Sequence, residues 1–365
     1  LGSITLSTSL QADLQGFNGL YAFGTVDYRG VASNAKDATI KVSGDHIRGV
    51  LMRGADYTDV TNDGSLIFDG KTYNNDTSST LSLGAMTAEA SSSLVNNSTI
   101  SANLNNLTNS VMFTAMRADD NNKNKTNVTN KGTIDVKLTN EAGTISARGM
   151  QSVYGTITND TDASISIVAK KDADSDSSGI GGSLFGIYGQ YGQIINNGLI
   201  KLVSDYASSN VWGIQKYMSS SSSSAAYANV NNNNTIDVTT TGASVDARGI
   251  SAAHANVSNK SSITVSASGA KSTVLGMVAG GTQVNEADGV ITVSATGDES
   301  NVKGMGWLNG YTTTTTNKGT INVTAAGNKT DAYGIVGDAA TSMNEGTVTI
   351  THNGYGNITG ISGTQ

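Results

Sequence analysis

The chain has 365 residues, a net charge of −7 and a sequence pI near 4.9, so it lacks the basic balance that non-specific nucleic-acid binding requires. Zero cysteine removes disulfides, zinc ribbons and thiol catalysis, and no apolar run approaches the roughly 18 residues that span a bilayer. Zero proline fits a chain built from strand ladders almost throughout, because proline cannot donate to a ladder.

Leu1 opens no basic-then-apolar segment, so a secretion signal is expected to be absent or already removed. Alternating strand pairs then recur along the chain: Ile4/Leu6, Ile40/Val42, Leu66/Phe68, Ile100/Ala102, Ile134/Val136, Ile165/Ile167 and Ile200/Leu202. They continue as Ile236/Val238, Ile263/Val265, Ile291/Val293, Ile321/Val323 and Val348/Ile350. The interval is 27 to 30 residues late in the chain and 35 to 36 between positions 165 and 236, so the surplus residues belong to loops. A second phrase follows each pair, a glycine before Ile, Val or Met, as in IRGV at 47–50, ARGM at 147–150, VWGI at 211–214 and AYGI at 332–335. A third, weaker strand ends near the next asparagine, as in GQIIN at 192–196.

Three short strands per unit, with no sustained 3.6-residue period, predict an all-β parallel β-helix of about eleven or twelve coils, right-handed by expectation. At about 4.8 Å per coil the rod is about 50–60 Å long. One coil cannot bury its own apolar side chains, so stacking supplies the core and the phrase has to recur. The expectation is one domain over 1–365, with irregular coils over about 1–130 and more regular ones over 131–365. Asn130, Asn159, Asn196, Asn259, Asn285, Asn317 and Asn344 recur at the corner before the first strand. Asparagine tolerates left-handed backbone there, and stacked amides are expected to bond from coil to coil.

The N-x-G-x-I-x-V, loop, G-I phrase resembles the passenger domains of autotransporter (type V secreted) proteins of Gram-negative bacteria, and is similar to haemagglutinin-like β-helical adhesins. The resemblance runs over almost the whole chain and is carried by repeat style and composition. It implies a secreted or cell-surface protein acting in adhesion or surface binding to a host, a cell or a glycan. Those families end in a membrane barrel, whereas this chain stops at Gln365 inside the repeat; the expectation is a barrel outside this chain or a different export route, with no membrane insertion by this segment. The alternative reading is a structural subunit of a filament, layer or matrix that associates end to end through open β-helix edges.

Chemistry is sparser. Polysaccharide hydrolysis needs two carboxyls about 5–9.5 Å apart, and the in-register candidates Asp135 and Asp237 are expected to be separated by coils carrying Ser166 and Lys201. The protein is therefore expected not to be an enzyme, with a polysaccharide lyase or hydrolase as the minor alternative. Asp172, Asp174 and Asp176 have the alternate spacing of a calcium loop, but Ser177 and Ser183 stand where an EF-hand has Gly and Glu. A solvated loop is the first reading and a calcium site the second; no other cofactor is expected. His46, His254 and His352 show no metal spacing, and the Thr312–Thr316 run reads as loop or edge. The residue before the repeated glycine is Arg48, Arg148, Phe185, Trp212, Arg248, Leu275, Lys303, Tyr333 and Thr359 in turn. Alternation points this stripe to solvent. Strand propensity alone accounts for such residues; as a surface, Arg148, Phe185, Trp212, Arg248, Lys303 and Tyr333 offer anchors for a glycan, a protein ligand or an anionic polymer.

Overall fold

The computed structural model describes residues 4–8, 18–44, 47, 49–71, 81–107, 110–121, 124–140, 144–171, 181–217, 228–308, 313–337 and 341–363. The chain is an all-β solenoid whose strands form three parallel sheets of 12, 12 and 11 strands, each coil giving one strand to each sheet except the last, which gives one to the first and one to the second. The first sheet runs from Ile4–Thr8 to Thr347–His352, the second from Asn18–Ala22 to Ile358–Ser362, and the third from Gly30–Asn34 to Thr341–Asn344.

The repeat phrase is the ladder register. Ile4, Ile40, Leu66, Ile100, Ile134, Ile165, Ile200, Ile236, Ile263, Ile291, Ile321 and Val348 pair in one unbroken column of the first sheet. A one-residue slip would turn every such side chain to solvent, so the apolar pattern fixes the register. These residues join Met86, Met116, Met150, Ile187, Ile214, Ile250 and their equivalents from the second sheet in a single core. The repeated glycine sits where the second sheet presses closest on the first. A Cβ at Gly249 would lie 2.2 Å from Ile263 Cγ2 and 2.5 Å from the carbonyl oxygen of Gly276, and Gly186, Gly213, Gly276 and Gly304 meet the same kind of obstacle. The phrase pair "I-x-V" and "G-I" is therefore one packing unit written in two places.

The asparagine corner lies between the third and first sheets. Asn34, Asn62, Asn96, Asn130, Asn159, Asn196, Asn232, Asn259, Asn285, Asn317 and Asn344 form a ladder in which each Nδ2 donates to the next Oδ1 at 2.8 or 2.9 Å. All but Asn344 are buried. The expected ladder is there, longer by Asn34, Asn62, Asn96 and Asn232.

The corner between the first and second sheets uses left-handed residues instead: Ser208, Ser244, Lys271, Glu299 and Lys329 have φ of 52, 57, 59, 56 and 53°. A serine or threonine follows several of them, with Ser272 Oγ and Thr330 Oγ1 each donating to a nearby carbonyl. Two expectations need correction. Thr314–Asn317 is a strand of the third sheet with Thr315 fully buried beside Gln283, not a loop or edge run. The IRGV phrase at 47–50 is not the equivalent of ARGM: the ladder runs from Val50 through Gly84 and Thr114 to Arg148, so Val50 rather than Arg48 precedes the stripe, and Arg48 lies outside the described residues. Sliding the phrase by two residues preserves which face each side chain takes, so periodicity alone does not separate the two alignments.

Candidate functional site: the outward column of the second sheet

Beyond Arg148 the stripe is one register column. Arg148 pairs with Phe185, Phe185 with Trp212, Trp212 with Arg248, Arg248 with Leu275, Leu275 with Lys303 and Lys303 with Tyr333. The inward glycine puts two successive residues inside, so the next outward place is three residues on, not two. It holds Gln151, Tyr188, Gln215 and Ser251 in neighbouring coils. Strict alternation misses this second column; the signal for it was the glycine that resets the phase.

The column is not freely presented to solvent, as alternation led us to expect. Phe185 and Leu275 are buried and the other members are half-buried, because the side chains fold onto one another. The Phe185 ring lies 5.6 Å from those of both Trp212 and Tyr188. The Arg148 guanidinium sits 4.2 Å over Tyr188 and 5.8 Å from Phe185, Arg248 sits 4.4 Å over Trp212, and Lys303 Nζ lies 5.5 Å from the Tyr333 ring. Each is in range of a cation–π attraction. One corner further round, Tyr154 and Tyr191 stack at 4.6 Å.

The two arginines share one arrangement with one difference. Arg248 Nη1 donates to Ser251 Oγ at 3.1 Å, while its Nε and Nη2 grip Asp246 at 2.7 and 2.6 Å. Arg148 Nη1 donates likewise to Gln151 Oε1 at 2.7 Å, three residues on. Two residues before Arg148, however, stands Ser146, in the register column that places Asp246 beside Arg248. Arg148 Nε is buried with no hydrogen-bond partner among the described residues. Burial, with the Arg117 charge nearby, pulls the Arg148 pKa below the usual arginine value against a counter-pull from Tyr188. Lys303 is lowered in the same way by burial and then by Arg248, opposed by Asp331, and among the described residues it forms no ion pair. Burial, then the Asp331 charge, raises Tyr333. Buried oxygens of Gln215 and Asn301, on strands of this same sheet, also lack partners among the described residues.

The remaining candidates separate. Asp172, Asp174 and Asp176 lie outside the described residues, as does His46. Among the described residues no group of three or more His, Cys, Asp or Glu is placed to hold a metal ion. His352 Nε2 is 2.7 Å from the Thr330 carbonyl oxygen, and His254 occupies a left-handed corner. Asp135 and Asp237 stand in one column with Ser166 and Lys201 between them, about 14 Å apart at three rungs, outside the reach of a glycosidase pair. Sequence reasoning missed Lys216, only 1% exposed, whose Nζ donates to the carbonyls of Gln190 at 2.9 Å and His254 at 3.5 Å. Burial without a carboxylate lowers its pKa to about 8. No protein family, no curated protein and no solved structure matches the chain.

Proposed function

We propose that this protein is an extracellular or cell-surface binding rod whose second sheet receives an extended glycan along the column from Arg148 to Tyr333. The observation that supports this most is the run of aromatic and cationic side chains in seven consecutive coils, interrupted once by Leu275. A linear polymer meets such a surface once per rung of about 4.8 Å, and partly covered rings give the C–H faces of sugars a flat, pre-ordered seat at small entropic loss. The extracellular setting rests on the likeness of the repeat phrase to surface β-helices and on the cysteine-free composition. The test is a binding screen of the purified chain against neutral and acidic glycans, with Trp212→Ala as the variant. Trp212 meets Phe185 edge to face and its Nε1 donates to the Asp246 carbonyl at 3.1 Å, so removing it opens the middle of the seat. Weakening of at least tenfold in Trp212→Ala is the expected result; binding that ignores Trp212, or no binding to any glycan, would refute the reading.

A further inference from the structure

Arg248 and Arg148 are the same device in two states of completion, and the completed one shows what the other lacks. In Arg248 the Nε–Nη2 edge holds both oxygens of Asp246 while Nη1 is held by the residue three positions on. In Arg148 the Nη1 contact is kept, through Gln151, a ring contact comes instead from Tyr188 in the following coil, and the carboxylate is missing because Ser146 stands in the aspartate's place. No carboxylate from elsewhere among the described residues fills the gap: Arg117, the neighbouring cation, is already engaged with Asp119 at 2.8 Å. A half-buried guanidinium held at Nη1 and, among the described residues, unpartnered at Nε lacks the planar anion that completes Arg248, and a ligand carboxylate that uncovers Nε by a small shift of the side chain would supply it.

From this we infer that Arg148 is a carboxylate-binding site acting on a ligand, and that the ligand of the second sheet is a linear polysaccharide carrying carboxylates separated by neutral sugars. This rests on the reading of that sheet as a glycan-binding face. Three observations select sparse carboxylates over a dense polyanion. The whole chain carries −7, so a sulfate or phosphate at every unit meets a repelling background. The second unpaired cation of the column, Lys303, lies five rungs from Arg148, about 24 Å away. Between them stand Phe185, Trp212 and Leu275, with Arg248 already neutralised by Asp246, a stretch suited to uncharged rings.

The test uses hyaluronan, in which a carboxylate sugar alternates with a neutral one, together with carboxyl-reduced hyaluronan, dextran sulfate and a panel of neutral glycans. The full chain is titrated by calorimetry at low and high salt. The decisive variant is Ser146→Asp, which supplies Arg148 with the internal carboxylate that Arg248 already has and leaves Arg148 itself intact. Hyaluronan is expected to bind more weakly as salt rises, to be lost on carboxyl reduction, and to bind about tenfold more weakly to Ser146→Asp and to Arg148→Gln. Lys137→Gln, on the first sheet, is expected to bind as the parent does. Equal binding of the reduced polymer, or undiminished binding by Ser146→Asp, would overturn the carboxylate site while leaving a glycan-binding face. Dextran sulfate binding as tightly, with the same dependence on Arg148, would overturn the choice of carboxylate. Silence from every polymer, neutral ones included, would remove the face itself and this site with it.

Discussion

The asparagine corner and the outward column of the second sheet are both written one residue per coil, and they have opposite characters. The corner repeats a single residue eleven times, and each of its ten side-chain contacts is the same amide bond at 2.8 or 2.9 Å. The column changes residue at every rung, and among the described residues Arg148 Nε and the neighbouring Gln215 and Asn301 oxygens have no partner. Uniformity follows where stacking alone selects the residue, because one geometry has one best answer. Variety with unfinished hydrogen bonding follows where something besides stacking selects it. Buried polar groups are normally satisfied, and of the five that lack a partner among the described residues three lie on the second sheet; the other two, Gln283 Oε1 and Ser342 Oγ, lie on third-sheet strands leading into the corner, so it is the ladder amides themselves, all paired, that set the corner apart.

The comparison breaks if the corner tolerates interruption. Asn196→Ala removes the acceptor of Asn159 and the donor to Asn232, leaving two buried amides each short of a partner. The expected loss is about 3 kcal/mol in chemical denaturation, at about 1–3 kcal/mol for each unsatisfied group. Asn344→Ala, at an exposed rung with one neighbour, is expected to change stability by well under 1 kcal/mol. Comparable losses at both places would mean that the ladder is a by-product of the fold and not one of its supports.

Lys216 belongs to neither kind of column and gives a second large effect. Its folded pKa of about 8 lies below the ordinary value of 10.5. Below pH 8 the ammonium is charged in both states, and the folded state carries the full penalty of burying it. Between pH 8 and 10.5 the unfolded chain holds the proton that the folded chain has released, so stability rises with pH and levels off above 10.5. At about 1.36 kcal/mol per pH unit the rise is up to about 3 kcal/mol. Lys216→Met is expected to be more stable than the parent at pH 7 and to lose this rise, read from paired denaturation curves at pH 7 and 10.5.

Most of the fold was legible because the apolar strand pairs carry their own register: the twelve pairs read from sequence are the twelve rungs of the first sheet. The extent of the asparagine ladder was less legible. Asn232 sits in the run NNNN at 231–234, where four candidates compete for one corner and only burial selects among them. The stripe was legible as a column and misread as exposed, since alternation reports a direction but not whether neighbours such as Tyr188 lie over the side chain. Lys216 was illegible. It is a lysine in an inward place of the second sheet, where equivalent coils have Gly189 and Ala252, and a pattern argument assigns lysine to solvent.

The glycine column sharpens the contrast at moderate expected size. Gly249→Ala drives a methyl to within 2.2 Å of Ile263 Cγ2 and 2.5 Å of a backbone oxygen, an overpacking expected to destabilise by about 2 kcal/mol. Gly360→Ala, in the same phrase but with nothing within 4 Å of the new methyl, is expected to be close to neutral. Ala85 and Ala115 occupy the matching place in earlier coils and are fully buried, so the backbone there already makes room for a methyl. Thermal melts of the two glycine variants decide whether the constraint is local closeness or the phrase itself.

The smallest effect is the most discriminating for the column. Arg248→Lys exchanges a planar fork, bonded to Asp246 through two nitrogens and lying over Trp212, for a point charge that can make only one of those bonds well. The pair is only 17% and 26% exposed, so a loss of about 1 kcal/mol is expected, at the upper end for ion pairs near a surface. Arg148→Lys gives up no carboxylate and has only the Gln151 bond and the ring contacts to lose, so its stability is expected to change by less than that of Arg248→Lys. If the two substitutions are equally destabilising, Arg148 is as much a part of the scaffold as its twin and the column is one structural ladder. If only Arg248→Lys destabilises, the scaffold does not need Arg148 to be an arginine, and a reason for its guanidinium has to be sought in what the second sheet binds.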